Sequence, residues 1–141
     1  MSTESSVYLG FVDGASRHTQ NLASAAWVVY SPEGLLVSSS VVCLGPSTNN
    51  VAGYNVVIEL LRDVISHGIP YLEVCLDSQL VVCQLNDSYR VHDPTLLQRF
   101  PQVQLLERYF DFITYNHIPR SSNQVSDAHA NFVLDWNLSH N

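Results

Sequence analysis

An α/β domain built on a five-stranded mixed sheet flanked by helices, in the order βββαβααβα, is predicted by three features of this chain. Three alternating, β-branched segments come first, at about 6–13, 23–31 and 35–43. From Thr48 the apolar period lengthens from two residues to three and four. Further on, a nearly continuous apolar run from Ile69 to Leu76 passes straight into a helical pattern, as a parallel strand feeding a helix does.

Each element has a local reason. Ser31-Pro32-Glu33-Gly34 joins the second and third strands as a tight turn, which makes the first three an antiparallel meander. Val51, Tyr54, Val57, Ile58, Leu61, Val64 and Ile65 then form one apolar stripe, and His67-Gly68 closes it as a helix C-cap. A second helix runs from Ser78 to Leu85, with Asp77 or Ser78 as its N-cap. After a loop from Asn86, Asp93-Pro94 starts a third helix at Thr95, which Pro101 either kinks or splits. Phe112 to His117 is the fifth strand, and Ser122 or Asn123 opens a last helix ending near Asn137. Tyr109, Phe132 and Trp136 are expected in the core.

At 141 residues, 46% of them hydrophobic, the chain can bury one substantial core, so residues 1–141 are expected to form a single domain with an ordered part of about 6–137. No apolar run reaches the roughly 18 residues a membrane helix needs, and the N-terminus lacks the pattern of a signal peptide. A soluble, intracellular protein with no membrane partner is expected. Cys43, Cys75 and Cys83 show no metal-type spacing and read as small buried hydrophobes.

Thirteen acidic residues face six basic ones, all arginine, for a formal net charge of -7. Lys and Arg supply most non-specific affinity for nucleic acid, so such a chain holds a duplex weakly unless a partner or bound cation helps. Carboxylates that hold a divalent ion inflate the negative count and are neutralised when it binds. Asp13 points that way, because the apolar run before it would bury an unpaired charge at high cost. Asp77 taken alone reads equally well as a cap.

Six motifs stand in a fixed order: Asp13-Gly14-Ala15-Ser16 ending a strand, Ser31 to Gly34, Thr48-Asn49-Asn50-Val51-Ala52-Gly53-Tyr54, Asp77-Ser78-Gln79-Leu80-Val81-Val82, Asp93-Pro94, and His117-Ile118-Pro119-Arg120 followed by Asn123, Asp127 and Ala128. Singly each is weak. Together they resemble the ribonuclease H family, and more narrowly the archaeal-like ribonuclease H domain in polyproteins of plant LTR (gypsy-class) retrotransposons, over Val7 to Leu134.

The resemblance implies a ribonuclease H-like fold and endonucleolytic cleavage of RNA in RNA-DNA hybrids with two Mg²⁺ (or Mn²⁺) ions roughly 4 Å apart. It implies that Asp13 bridges both ions, Asp77 shares one and Asp127 holds the other, all through the oxygen ligands hard cations require. The family's fourth ligand, a helix glutamate, falls at Gly53. The substitution removes that ligand and puts glycine inside a helix, at about 1 kcal/mol relative to alanine. Glu59 lies about 240° around the helix and cannot replace it. Impaired activity is therefore expected.

For the substrate, the resemblance implies minor-groove contacts from Asn50 and Gln79, phosphate contacts from Gly14 and Ser16, and a further phosphate contact from Arg120. Asn49 reads as structural at the helix start. Two departures accompany Gly53: Asn21 to Trp27 carries alanine and serine where the family favours glycine, and His129 replaces an apolar residue of the last helix, facing either core or metal. His117 either closes the last strand or assists product release. The alternative to an enzyme is a non-catalytic module of the same fold that binds a nucleic-acid duplex or a reverse-transcriptase polyprotein partner.

Overall fold

The computed structural model describes residues 6–17, 22–43 and 48–119, with backbone alone at 13–17, 22–23 and 49. Strands β1 (Tyr8–Arg17), β2 (Leu22–Tyr30) and β3 (Leu36–Cys43) are followed by α1 (Asn49–Ser66), β4 (Tyr71–Leu76), α2 (Gln79–Leu85), α3 (Pro94–Glu107) and β5 (Phe112–His117). The five strands form one sheet in the order β3-β2-β1-β4-β5. β1 to β3 pair antiparallel, whereas β4 runs parallel to both β1 and β5, so the sheet is mixed as expected. The last helix expected from Ser122 or Asn123 lies outside the described residues, as do Phe132 and Trp136.

The elements begin and end where their capping chemistry dictates. Thr48 caps α1 by accepting from the Val51 amide, Ser78 caps α2 by accepting from Val81, and Asp93 caps α3 by accepting from Thr95 at 2.8 Å. Gly34 and Gly68 take positive φ, +85° and +71°, at the β2–β3 turn and behind α1, conformations that a side chain would strain. β1 runs past the expected Asp13 to Arg17, because β2 offers hydrogen-bonding partners along its full length. Pro101 neither splits α3 nor disturbs its buried face. The amide it lacks belongs to the solvent side, while Leu96 and Val103 face the core.

The core lies between α1 and the sheet. Tyr54, Val57, Leu60, Leu61 and Val64 of α1 are fully buried with Val12, Val29, Leu72 and Val74 of the strands. Polar ties join the layers at a few points. The Asp63 carboxylate accepts from Trp27 Nε1 at 2.9 Å and Ser38 Oγ at 2.6 Å, holding α1 to β2 and β3. Tyr54 donates to Gln84 Oε1 at 2.7 Å, joining α1 to α2. Tyr115 donates to Glu107 Oε2 at 2.7 Å, joining β5 to α3.

Two expectations fail. Cys75 is buried, but Cys43 is exposed at the end of the edge strand and Cys83 is half-buried, so the buried-thiol reading holds for one cysteine. Tyr109 is 69% exposed, not core. It lies in the turn after α3 has ended at Glu107, past the helix's C-cap Arg108, where its ring stands in solvent.

Burial lifts the Tyr54 phenol from its ordinary 10.0 to about 12, and burial together with the Glu107 carboxylate lifts Tyr115 further. These groups keep their protons in the fold after the unfolded chain has lost them. Their stabilisation is therefore complete below about pH 10 and is lost as pH rises through the folded values. Urea midpoints are expected to fall from about pH 10 upward, with a shallower fall in Tyr54→Phe. An identical slope in that variant refutes the assignment.

Candidate active site

Asp77 follows the last residue of β4 and precedes the cap of α2, which puts it at the carboxyl end of a parallel strand, where open α/β sheets gather ligands. β1 lies beside β4 in parallel register, with Phe11 opposite Cys75. That is the last paired position: residue 13 lies two residues beyond it on β1, and residue 77 two residues beyond it, just past the end of β4. Asp13 pairs with Ala26 on its other side, in the middle of the sheet.

The Asp77 carboxylate is chemically unfinished. Sequence alone left Asp77 and Ser78 both able to cap α2, and in the structure Ser78 does so, leaving the aspartate uncommitted. Its Oδ2 is buried without a hydrogen-bond partner, and no other such side-chain atom occurs among the described residues. A carboxylate oxygen out of water and without a partner costs several kcal/mol unless a cation meets it. An oxygen in that state is of the kind a hard divalent ion takes as ligand. Among the described residues no group of three or more His, Cys, Asp or Glu side chains gathers; the side chain of Asp13 and all of Asp127 lie outside them.

Gly53 occupies the second turn of α1, and a Cβ built there would meet Val81 Cγ2 of α2 at 3.3 Å. Position 53 thus faces the first turn of α2, the helix Asp77 introduces. Val81 went unmarked in the sequence, since an apolar residue four positions past an aspartate carries no signal of what it faces. Glu59, the nearest carboxylate in α1, sits 3.5 Å from Arg62 in an exposed ion pair and does not substitute for position 53.

The expected substrate-contacting positions fall into two groups. Asn50 in the first turn of α1 and Gln79 at the start of α2 are both exposed. Gly14 and Ser16 lie on β1 opposite Ala25 and Ala23. Arg120 and His129 lie outside the described residues, and His117 closes β5. Cys75, two residues before Asp77, is no nucleophile: burial, with the Glu73 carboxylate adding to it, pushes its thiol up to about 11.

The sequence model of the family described as reverse transcriptase-like matches residues 11–133. Ribonuclease HI of Halobacterium salinarum is 35% identical over 125 residues, 89% of this chain and 63% of that protein. Its crystal structure has a TM-score of 0.86 at 34% identity, covering 92% of this chain and 98% of that one. The N-terminal ribonuclease H domain of a Mycobacterium tuberculosis protein gives 0.87 at 33% identity, covering 96% and 98%. LC11-RNase H1, isolated from compost by a metagenomic approach and solved in complex with an RNA/DNA hybrid, gives 0.86 at 29% identity, covering 93% and 99%. The chain spans 63% of the halobacterial relative and 34% of the full mycobacterial one. With a matching family model over most of its length and a sheet that superposes on these structures, the chain belongs to the ribonuclease H family, in the reverse transcriptase-like group.

Proposed function

We propose that this chain is an endoribonuclease that cuts the RNA strand of RNA-DNA hybrids, that Gly53 impairs it, and that it works as a domain of a plant LTR retrotransposon polyprotein. The observation that carries the reading is the buried, partnerless Oδ2 of Asp77, just past the end of the strand that pairs in parallel with the one carrying Asp13. Similarity to LC11-RNase H1, whose structure holds an RNA/DNA hybrid, supports the substrate class, and the reverse transcriptase-like family supports the polyprotein setting.

In this reading Asp13, Asp77 and Asp127 hold Mg²⁺ or Mn²⁺ through carboxylate oxygens. Two such ions supply an activated water and charge neutralisation at the leaving oxygen. Asn50 and Gln79 present amides to the minor groove of the hybrid from neighbouring helix starts, where the 2′-hydroxyl distinguishes RNA from DNA. Gly14, Ser16 and Arg120 hold the phosphate backbone, and with lysine absent they are central to positioning it. Gly53 leaves one side of the metal site without a carboxylate, which loosens metal and geometry together.

Metal titration tests the carrying observation. Mg²⁺ at about a hundred times its Kd stabilises a protein by about 2.7 kcal/mol, so the melting temperature is expected to rise by several degrees. Asp77→Asn is expected to abolish the rise. A melting temperature indifferent to Mg²⁺ and Mn²⁺ in the parent chain refutes the metal site. A second reading, a non-catalytic binding module, is favoured by Gly53 itself. It predicts hybrid binding without cleavage in either the parent chain or Gly53→Glu.

A further inference from the structure

Strand β3 is an outer strand of the sheet, and among the described residues it pairs with β2 alone. Its other side offers a row of backbone N–H and C=O groups to whatever strand can reach them. Natural edges are usually guarded by lysine, proline or inward charges. This one has none: from Gly34 to Ile58 the sequence contains no charged residue, although the chain as a whole carries -7. The one guarding device is a bulge near Val37 at the turn end, where the β2 register slips between Val29 and Tyr30. From Ser38 to Cys43 the ladder is regular.

We propose that the β3 edge pairs antiparallel with β3 of a second copy of this chain, joining two sheets into one across a two-fold axis through the serine triplet Ser38-Ser39-Ser40. A two-fold interface must be self-complementary. The strand meets that demand in both directions: Leu36 and Val37 precede the serines and Val41 and Val42 follow them. Antiparallel self-pairing therefore sets apolar against apolar and serine against serine, with opposed side chains about 5 Å apart. The strand itself brings no charged side chain to the seam, and the Asp63 carboxylate behind it is held by Trp27 and Ser38. The pairing consumes the edge in both copies, so it closes at a dimer.

Sedimentation equilibrium of the 141-residue chain, with amide hydrogen exchange at low and high concentration, tests this. Expected are a dimer mass at high concentration and slowed exchange confined to Leu36–Val42. Ser39 is exposed, so Ser39→Lys is expected to keep the fold by circular dichroism while weakening association at least about tenfold, two like charges then facing each other near the axis. Leu105→Lys, on the exposed side of α3, is expected to leave association unchanged. A monomer at every concentration overturns the proposal. So does a dimer that survives Ser39→Lys or is lost in Leu105→Lys.

Discussion

Replacing Gly53 with glutamate is expected to raise hybrid cleavage by about two orders of magnitude. A carboxylate that completes a divalent site contributes several kcal/mol of charge stabilisation, and each 1.36 kcal/mol is a factor of about ten in rate. The fold should accept the change. The new Cβ approaches Val81 Cγ2 at 3.3 Å, so Val81 must give by a few tenths of an ångström. Against that strain, the helix gains up to about 1 kcal/mol by losing an internal glycine. Thermal unfolding near the parent value, tighter Mg²⁺ binding and a gain in cleavage are the joint expectation. Gly53→Gln separates charge from helix propensity: it should reproduce the stability and not the activity. Equal cleavage by parent, Gly53→Gln and Gly53→Glu would remove position 53 from the site.

Leu60→Ala is expected to cost about 2–5 kcal/mol, measurable as a fall in the urea midpoint. Leu60 is fully buried and stands over Gly10 in the central strand, where a Cβ would meet Leu60 Cδ2 at 3.2 Å and Leu72 Cδ1 at 3.6 Å. Glycine at 10 thus lets α1 settle onto β1. Gly10→Ala overpacks the contact and should cost about 1–3 kcal/mol alone. In the double variant the methyl enters the space vacated by Leu60, so the combined loss should be smaller than the sum. Strict additivity would show that the helix does not rest on the strand at this point. With domain stabilities of about 5–15 kcal/mol, Leu60→Ala alone can remove a large share.

Much of this architecture was legible in local chemistry. The strands, the first three helices and their order follow from apolar period and caps, because those patterns act between residues close in sequence. Ser31 to Gly34 and Asp93-Pro94 were readable for the same reason: turn and cap residues carry their conformations with them. Tyr109 is exposed although it keeps the apolar spacing, because spacing does not disclose where a helix stops, and α3 ends two residues before it. Cys43 was misread because an apolar strand can lie at an edge as easily as in the middle.

The sequence by itself determined the element types and their order, since these are written in apolar period and short-range caps, while the aspartate set and the carboxylate expected at position 53 came from the family resemblance alone. Only the tertiary structure decided that β1 and β4 run side by side in parallel, with Phe11 opposite Cys75. It also decided that Ser78 takes the cap, leaving an Asp77 oxygen buried without a partner, and that position 53 turns toward α2. These depend on the packing of segments dozens of residues apart, where the free energy of the whole core selects among pairings that local propensity leaves equal.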